Sequence, residues 1–220
     1  MSNVCPVWIG YLLASPVRRL FQNPDSILGP HLKKGMTVMD VGCAMGFFSL
    51  PAAKMVGESG RVYCVDCQEE MLQQLEKRAA KAGVDRHITT RTCAPDDLGV
   101  ADLAEQVDFA MAIAMVHETD SPHTLLRQIS GTIRAGGKLL YAEPLGHVSM
   151  DEVLRTQSVL LDMDFKIVIS QKTRKLYSAV YQKNNPANSE GIASTVTEKR
   201  SECSLRLSKE CLTDVSRSGK

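Results

Sequence analysis

The segment 38–46 combines an apolar run, an acid and three small residues in a spacing that suits ligand binding. The acid is Asp40, and the small residues that follow it alternate along the chain: Gly42, Ala44 and Gly46. Small side chains let the backbone pass close beneath a ligand, and a helix beginning just beyond offers free N–H groups. A dinucleotide-binding fingerprint would need a third glycine at position 47, where this chain has Phe47.

A second group of polar residues follows two apolar runs further along the chain. Its members are His117, Glu118, Glu143 and His147. Histidine titrates near neutral pH, so His117, oriented by a carboxylate, is a candidate general base for an acceptor that must lose a proton. Capping and turn roles are the structural alternatives for these residues. The spacing is not H-E-x-x-H, because residue 121 is Ser, and we predict no metal site.

Short β-rich runs alternate with amphipathic segments from residue 36 onward. Strands are predicted at 36–41, 61–66, 87–93, 107–114 and 138–143, and helices at 47–56, 69–81, 100–105, from 121 to the glycines at 136–137, and 149–163. Ser121 is predicted to cap the fourth helix and Ile133 to complete its buried stripe, and Ser149 with Glu152 forms a capping box for the last one.

The end of this region has a different pattern. The runs 165–170 and 176–182 are strands separated by a short polar turn, which predicts an antiparallel hairpin. Five β-α units followed by a hairpin predict an α/β fold whose mostly parallel, doubly wound sheet lies between helices. Ligands of such sheets bind outside the carboxyl ends of the strands, where the strand order reverses.

The spacing Asp40-x-Gly42-x-Ala44-x-Gly46 resembles motif I of the class I S-adenosylmethionine-dependent methyltransferases. The turn Ala135-Gly136-Gly137 resembles the one that precedes strand five in small-molecule members, such as the ubiquinone/menaquinone-biosynthesis and arsenite types. The resemblance implies a Rossmann-like seven-stranded sheet of order 3-2-1-4-5-7-6 with strand 7 antiparallel. It also implies that strands four and five are neighbours, so that the four polar residues above open onto one pocket.

The resemblance further implies which residues contact S-adenosyl-L-methionine. Asp66, at the end of strand two, corresponds to the acid that accepts the ribose hydroxyls, and Asp40 and Gly42 face the methionine part. An Asp is frequent where this chain has Cys93, so adenine recognition would rest on the Ala94 N–H or on Asp96. The remaining residues placed at the cofactor are Cys43, Ala44, Gly46, Cys67, Gln68 and Met71.

Composition narrows the classes of function. The 26 basic and 25 acidic residues give a net charge of +1, which argues against nucleic acid as a partner and favours a small-molecule acceptor. Seven cysteines, an odd number without framework spacing, predict reduced thiols and a cytoplasmic location. The longest unbroken apolar run, at 109–116, is too short to span a membrane.

The chain is predicted to have three parts. Residues 1–35 form a helical lid or cap, for whose apolar stretch 8–20 a membrane-surface helix and plain packing are the alternatives. Residues 36–183 form the Rossmann-like domain, and 184–220 a mostly disordered tail that is rich in Ser and charge and has no aromatic residue. We therefore expect a cytoplasmic methyltransferase that moves a methyl group from S-adenosylmethionine to a small molecule by in-line transfer. A dinucleotide-dependent oxidoreductase and a non-catalytic S-adenosylmethionine-binding module are the alternatives.

Overall fold

The computed structural model describes residues 22–185, and its centre is a seven-stranded sheet of order β3-β2-β1-β4-β5-β7-β6. The strands are β1 Thr37–Val41, β2 Arg61–Asp66, β3 Ile88–Thr92, β4 Val107–Ile113, β5 Ile133–Pro144, β6 Phe165–Lys172 and β7 Leu176–Lys183. The first five pair in parallel, and β7 lies antiparallel to both β5 and β6. The predicted strand order and closing hairpin are confirmed.

Helices cover both faces of the sheet. They are α1 Pro24–Leu28, α2 Ser49–Val56, α3 Glu69–Ala82, α4 Pro122–Thr132 and α5 Met150–Asp162. One core cluster joins the sheet to α1, α2 and α3, and a second joins it to α4 and α5. The chain changes faces where the strand order reverses between β1 and β4, and ligands of doubly wound sheets bind at that point.

Most helix boundaries follow the local signals in the sequence. Gly83 ends α3 in the left-handed conformation at φ 69°, as a C-terminal glycine does. Ser149 accepts a hydrogen bond from the Glu152 N–H, and the Glu152 carboxylate accepts one from the Ser149 N–H, which confirms the predicted capping box. The predicted helix at 100–105 is a single 3₁₀ turn, Ala101–Leu103.

The predicted end of α4 is wrong. The helix stops at Thr132, and Ile133 already pairs with Val107 as the first residue of β5. Ile133 is fully buried, as predicted, but in a strand. Gly137 permits this path, because a Cβ there would lie 2.7 Å from Ile133 Cγ2 and 3.0 Å from the Val107 oxygen. Ser121 does precede α4, but its side chain makes no capping hydrogen bond.

The predicted terminal segments lie largely outside the described residues, which exclude 1–21 and 186–220. Within residues 22–35, Leu28 and Leu32 are buried in the core cluster that contains α2 and α3. His31 stacks on Phe109 of β4 with 5.7 Å between ring centroids. Burial, together with the nearby Lys138, lowers the pKa of His31. No helix among residues 22–185 is long and apolar enough to cross a membrane.

Candidate functional site

The turn after β1 bends sharply at each of its three small residues. Gly42, Ala44 and Gly46 have φ values of 69°, 46° and 78°. Two successive amides, of Gly42 and Cys43, donate to the Val65 carbonyl at 2.8 and 3.2 Å, which ties the turn to β2. The left-handed backbone at Ala44 is strained for a residue with a Cβ, and such strain is concentrated at functional sites.

Both glycines of this turn also face close neighbours. A Cβ on Gly42 would lie 2.8 Å from Met115 Cβ, and one on Gly46 would lie 2.4 Å from Leu50 Cδ1 and 2.9 Å from Leu75 Cγ. Met115 follows β4, so the contact at Gly42 places the turn directly against the carboxyl end of that strand. Glycine is therefore required at both positions for conformation and for space.

Asp40 lies beneath the turn and is buried. Its Oδ2 accepts a hydrogen bond of 2.6 Å from the hydroxyl of Ser49, the first residue of α2. Asp40 thus joins β1 to the start of the helix that follows the turn. Sequence reasoning missed Ser49, although a hydroxyl three residues after Gly46 was a visible signal.

Asp66 ends β2 and holds two backbone segments together. Its Oδ2 accepts from the Ala44 N–H at 2.8 Å, and its Oδ1 accepts from the Gln68 N–H at 2.9 Å. Burial raises the pKa of this carboxyl, and the hydrogen bonds from Gln68 and Ala44 act in the opposite direction. Each carboxylate oxygen has two lone-pair positions, so acceptor capacity for a bound ligand remains.

Residues predicted to lie beside the ribose and adenine surround Asp66. Cys67 is exposed, whereas Met71 is buried in the first turn of α3. The Cys93 N–H donates to the Asp66 carbonyl at 3.0 Å, so the ends of β2 and β3 are adjacent. Burial raises the pKa of Cys93 to about 11, which keeps its thiol protonated at neutral pH.

The Ala94 amide, one of the two predicted adenine contacts, is already engaged. It donates to the Asp97 carbonyl at 2.9 Å, which closes the loop after β3 on itself. The Asp96 side chain is exposed in the same loop. Cys43, also predicted at the cofactor, is buried, and burial raises the pKa of its thiol.

The second predicted group meets at the ends of β4 and β5. His117 Nδ1 lies 2.6 Å from Glu143 Oε2, and the His117 N–H donates to Glu143 Oε1 at 3.2 Å. Glu143 is completely buried, and its burial raises the pKa of the carboxyl, while the charge and hydrogen bonds of His117 lower it. A buried carboxylate with both oxygens on one histidine fixes the orientation of that imidazole.

The other two members lie beside this pair. The rings of His147 and His117 meet edge to face at 5.7 Å between centroids. Glu118 belongs to the same 3₁₀ turn as His117, Val116–Glu118, and is half-buried. Ala114, just before this turn, has φ 55°, a second strained residue that sequence reasoning missed. Among residues 22–185, no group of three or more His, Cys, Asp or Glu side chains has the geometry to hold a metal ion.

The two groups of predicted residues are neighbours in space. Met115, which contacts Gly42, precedes His117 by two residues. The backbones of β1 and β4 are paired through Val41 and Ala112. The turn of small residues and the His117–Glu143 pair therefore share one edge of the sheet, at the carboxyl ends of β1, β4 and β5.

Known proteins share this fold and part of this sequence. A family model described as a methyltransferase domain matches residues 32–188. A SAM-dependent methyltransferase from Aquifex aeolicus is similar in structure, with a TM-score of 0.72 at 22% identity over 81% of this chain and 99% of that one. A putative S-adenosyl-L-methionine-dependent methyltransferase from Methanococcus maripaludis has a TM-score of 0.65 at 16% identity, over 84% of this chain and 98% of that one.

Curated relatives match over shorter stretches. A probable cobalt-precorrin-6B C(15)-methyltransferase (decarboxylating) from Pyrobaculum calidifontis is 41% identical over 76 residues, which are 34% of this chain and 39% of that protein. The chain thus spans well under two thirds of the length of that relative. Since the family model matches most of the chain and the sheet has the order 3-2-1-4-5-7-6, the chain belongs to the methyltransferase-domain family, with the fold of class I S-adenosylmethionine-dependent methyltransferases.

Proposed function

We propose that this protein transfers the methyl group of S-adenosylmethionine to a small-molecule acceptor and that His117 is the general base. The observation that carries the proposal is the pairing of partly exposed His117 with buried Glu143, beside the glycine turn after β1. The comparisons also support the proposal, through the family match and through relatives and structural neighbours whose names describe methyltransferases.

The residues after β1 and β2 fit the cofactor. Gly42 and Gly46 permit the sharp backbone path of the turn, where a Cβ would meet Met115, Leu50 or Leu75, and Asp66 retains acceptor capacity for the ribose. Because the Ala94 amide is engaged within its own loop, we assign the adenine amino group to the Asp96 carboxylate. Asp40, held by Ser49, contributes negative charge near the predicted position of the methionine ammonium. The cofactor supplies a methyl group on a positively charged sulfur, which is already a good leaving group.

His117 has the geometry of a base that is oriented by a carboxylate. When Glu143 is ionised and accepts from Nδ1–H, the lone pair of His117 Nε2 is free to take a proton from an acceptor. Glu143 then stabilises the imidazolium that forms. His147 packs against the ring of His117 and limits its rotation. An acceptor with a hydroxyl, amine or thiol group is the class that requires such a base.

The acceptor class rests on charge and on the relatives. A net charge of +1 gives no overall excess of positive charge for nucleic-acid binding. The Pyrobaculum calidifontis relative, which favours this class, is named for methylation of a cobalt-precorrin, a small molecule. Other relatives are named for other acceptors: protein L-isoaspartate in Methanothrix thermoacetophila, 27% identical over 127 residues, and 23S rRNA in Acinetobacter baylyi, 48% identical over 50 residues. We propose a cytoplasmic enzyme with a small-molecule acceptor.

The first experiment tests cofactor binding by titration calorimetry with S-adenosylmethionine. Asp66→Asn removes a charge and one acceptor oxygen, and we expect the affinity to fall at least about tenfold, as for loss of a hydrogen bond to a charged group. Asp102→Asn is the matched control, because Asp102 is an exposed carboxylate that pairs with Arg91 at 2.7 Å. Equal affinities of the two variants would refute the role of Asp66, and absence of binding to wild type would refute the function.

The second experiment tests transfer. Wild type is incubated with methyl-labelled cofactor and a pool of cellular metabolites, and the labelled product is identified. His117→Gln and Glu143→Gln are expected to lower the rate about 10²–10⁴-fold without loss of cofactor affinity. Cofactor binding without a labelled product in any pool would favour a non-catalytic S-adenosylmethionine-binding module.

A further inference from the structure

The amide side chain of Gln128 bridges α4 and the loop after β3. Its Oε1 accepts from the Leu98 N–H at 2.7 Å, and its Nε2 donates to the Asp96 carbonyl at 2.8 Å. These backbone groups stand on either side of Asp97, 30 and 32 residues before Gln128 in the chain. One half-buried side chain therefore replaces the backbone partners that a strand would provide.

Two other backbone amides of this loop are bonded within it. The Ala94 N–H donates to the Asp97 carbonyl at 2.9 Å, and the Gly99 N–H donates to Asp97 Oδ1 at 2.9 Å. Leu98 is buried, whereas Asp96 is exposed at the tip. The Arg91 side chain of β3 donates to the Gly99 carbonyl at 3.0 Å, at the end of the loop, whereas the two bonds of Gln128 link the tip itself to α4.

We propose that Gln128 is a positioning residue for adenine recognition, which it supports by holding the loop so that the Asp96 carboxylate is directed at the amino group of the base. The inference rests on the proposed function, since it assumes that S-adenosylmethionine binds at the ends of β1, β2 and β3. Gln128 acts through Asp96 and does not contact the cofactor.

The physical reason lies in the number of bonds that hold Asp96. A residue at an exposed loop tip samples many orientations, and ordering it on binding costs conformational entropy. Two hydrogen bonds from one amide, on both sides of Asp97, restrict this freedom before the ligand arrives. Such preorganisation raises affinity and makes recognition of the base more selective.

The test compares two ligands that differ at one position of the base. S-Adenosylhomocysteine carries the amino group of the base, which donates to a carboxylate. S-Inosylhomocysteine carries a carbonyl oxygen at the same position of the base, and that oxygen repels the Asp96 carboxylate. We measure Kd for both with wild type and take their ratio. Wild type is expected to prefer the adenine ligand at least about tenfold, the value of a hydrogen bond to a charged group.

Gln128→Met keeps the length of the side chain and removes both hydrogen bonds, and we expect the ratio to fall to within about threefold of unity. Gln106→Met is the matched control, because the Gln106 amide donates to the backbone carbonyl of Asp102 at 2.7 Å and makes a comparable link elsewhere. The control should retain the wild-type ratio. Asp96→Ala should abolish the preference, and adding Gln128→Met to it should change the ratio no further.

The outcomes separate this inference from the proposed function. If wild type binds neither ligand, the proposed function fails. If Gln128→Met keeps the wild-type ratio while Asp96→Ala loses it, or if wild type does not distinguish the ligands, the inference is overturned. Should Gln128→Met not fold, Gln128→Glu provides the test. It keeps an acceptor for the Leu98 amide but repels the Asp96 carbonyl, and it should lower the ratio.

Discussion

Replacement of Gly42 by alanine tests how the turn after β1 and the residues after β4 depend on each other. Gly42 has φ 69°, and an added Cβ would lie 2.8 Å from Met115 Cβ and 2.9 Å from Met115 Cγ. A rotation of Met115 cannot relieve the nearer contact, because the Cβ position is set by the backbone. The matched control is Gly83→Ala, since Gly83 also has φ 69° but has nothing within 4 Å of an added Cβ.

The two variants share one energetic term and differ in another. A left-handed backbone conformation costs an alanine about 1–2 kcal/mol, partly offset by the lower entropy of its unfolded chain. Gly83→Ala should therefore lose about 1 kcal/mol. Gly42→Ala adds the overpacking against Met115, about 1–3 kcal/mol, for a total loss of about 2–4 kcal/mol. At about 2–4 °C per kcal/mol for a chain of this size, the melting temperatures should differ by several degrees.

Urea unfolding of the wild type and both variants gives the free energies of unfolding, and calorimetry gives cofactor affinity. We expect Gly42→Ala to lose cofactor affinity and transfer rate as well. His117 stands two residues after Met115 in the chain, so a displacement of Met115 also moves His117. Gly83→Ala should keep both. A free energy of unfolding for Gly42→Ala equal to that of Gly83→Ala would refute the steric reasoning, and unchanged activity would refute the link from Met115 to His117.

Two further predictions concern groups with well-defined environments. Burial raises the pKa of Glu143, so its ionised form destabilises the fold, a cost absent below its unfolded pKa and fully present above its folded pKa. Glu143→Gln should therefore be more stable relative to wild type at pH 7 than at pH 4, as measured by urea unfolding at both values, and the opposite order would contradict the assignment. Ser149→Ala removes the hydroxyl that accepts from the Glu152 N–H and should lower the free energy of unfolding by about 1 kcal/mol, whereas Ser149→Thr, which keeps a hydroxyl, should lose less.

Local sequence signals predicted most of the fold because they report which face of an element is buried. β2 begins and ends at Arg61 and Asp66, as predicted, where an apolar run is bounded by polar residues. The error at α4 has the same origin. Ile133 fits a buried helical stripe as well as it fits a buried strand, and only its pairing with Val107 decides between them.

The candidate site was predictable to the level of which residues share an edge. Parallel neighbouring strands bring the ends of β4 and β5 together, so the meeting of His117 with Glu143 followed from the expected strand order. The engagement of the Ala94 amide by Asp97 did not, because a short loop can close in several ways. Gln128 carried no signal, since on a predicted helix it is an ordinary polar residue.

The sequence by itself determined the alternation of strands and helices, the turn of small residues and the acids at the carboxyl ends of β1 and β2. These features depend on side-chain size, polarity and spacing within about ten residues. Only the tertiary structure decided which donor meets which acceptor: His117 with Glu143, 26 residues later, and Gln128 with backbone groups 30 and 32 residues earlier. A hydrogen bond requires its donor and acceptor to be placed to within a few tenths of an ångström. Packing and strand register set these positions only when the chain folds.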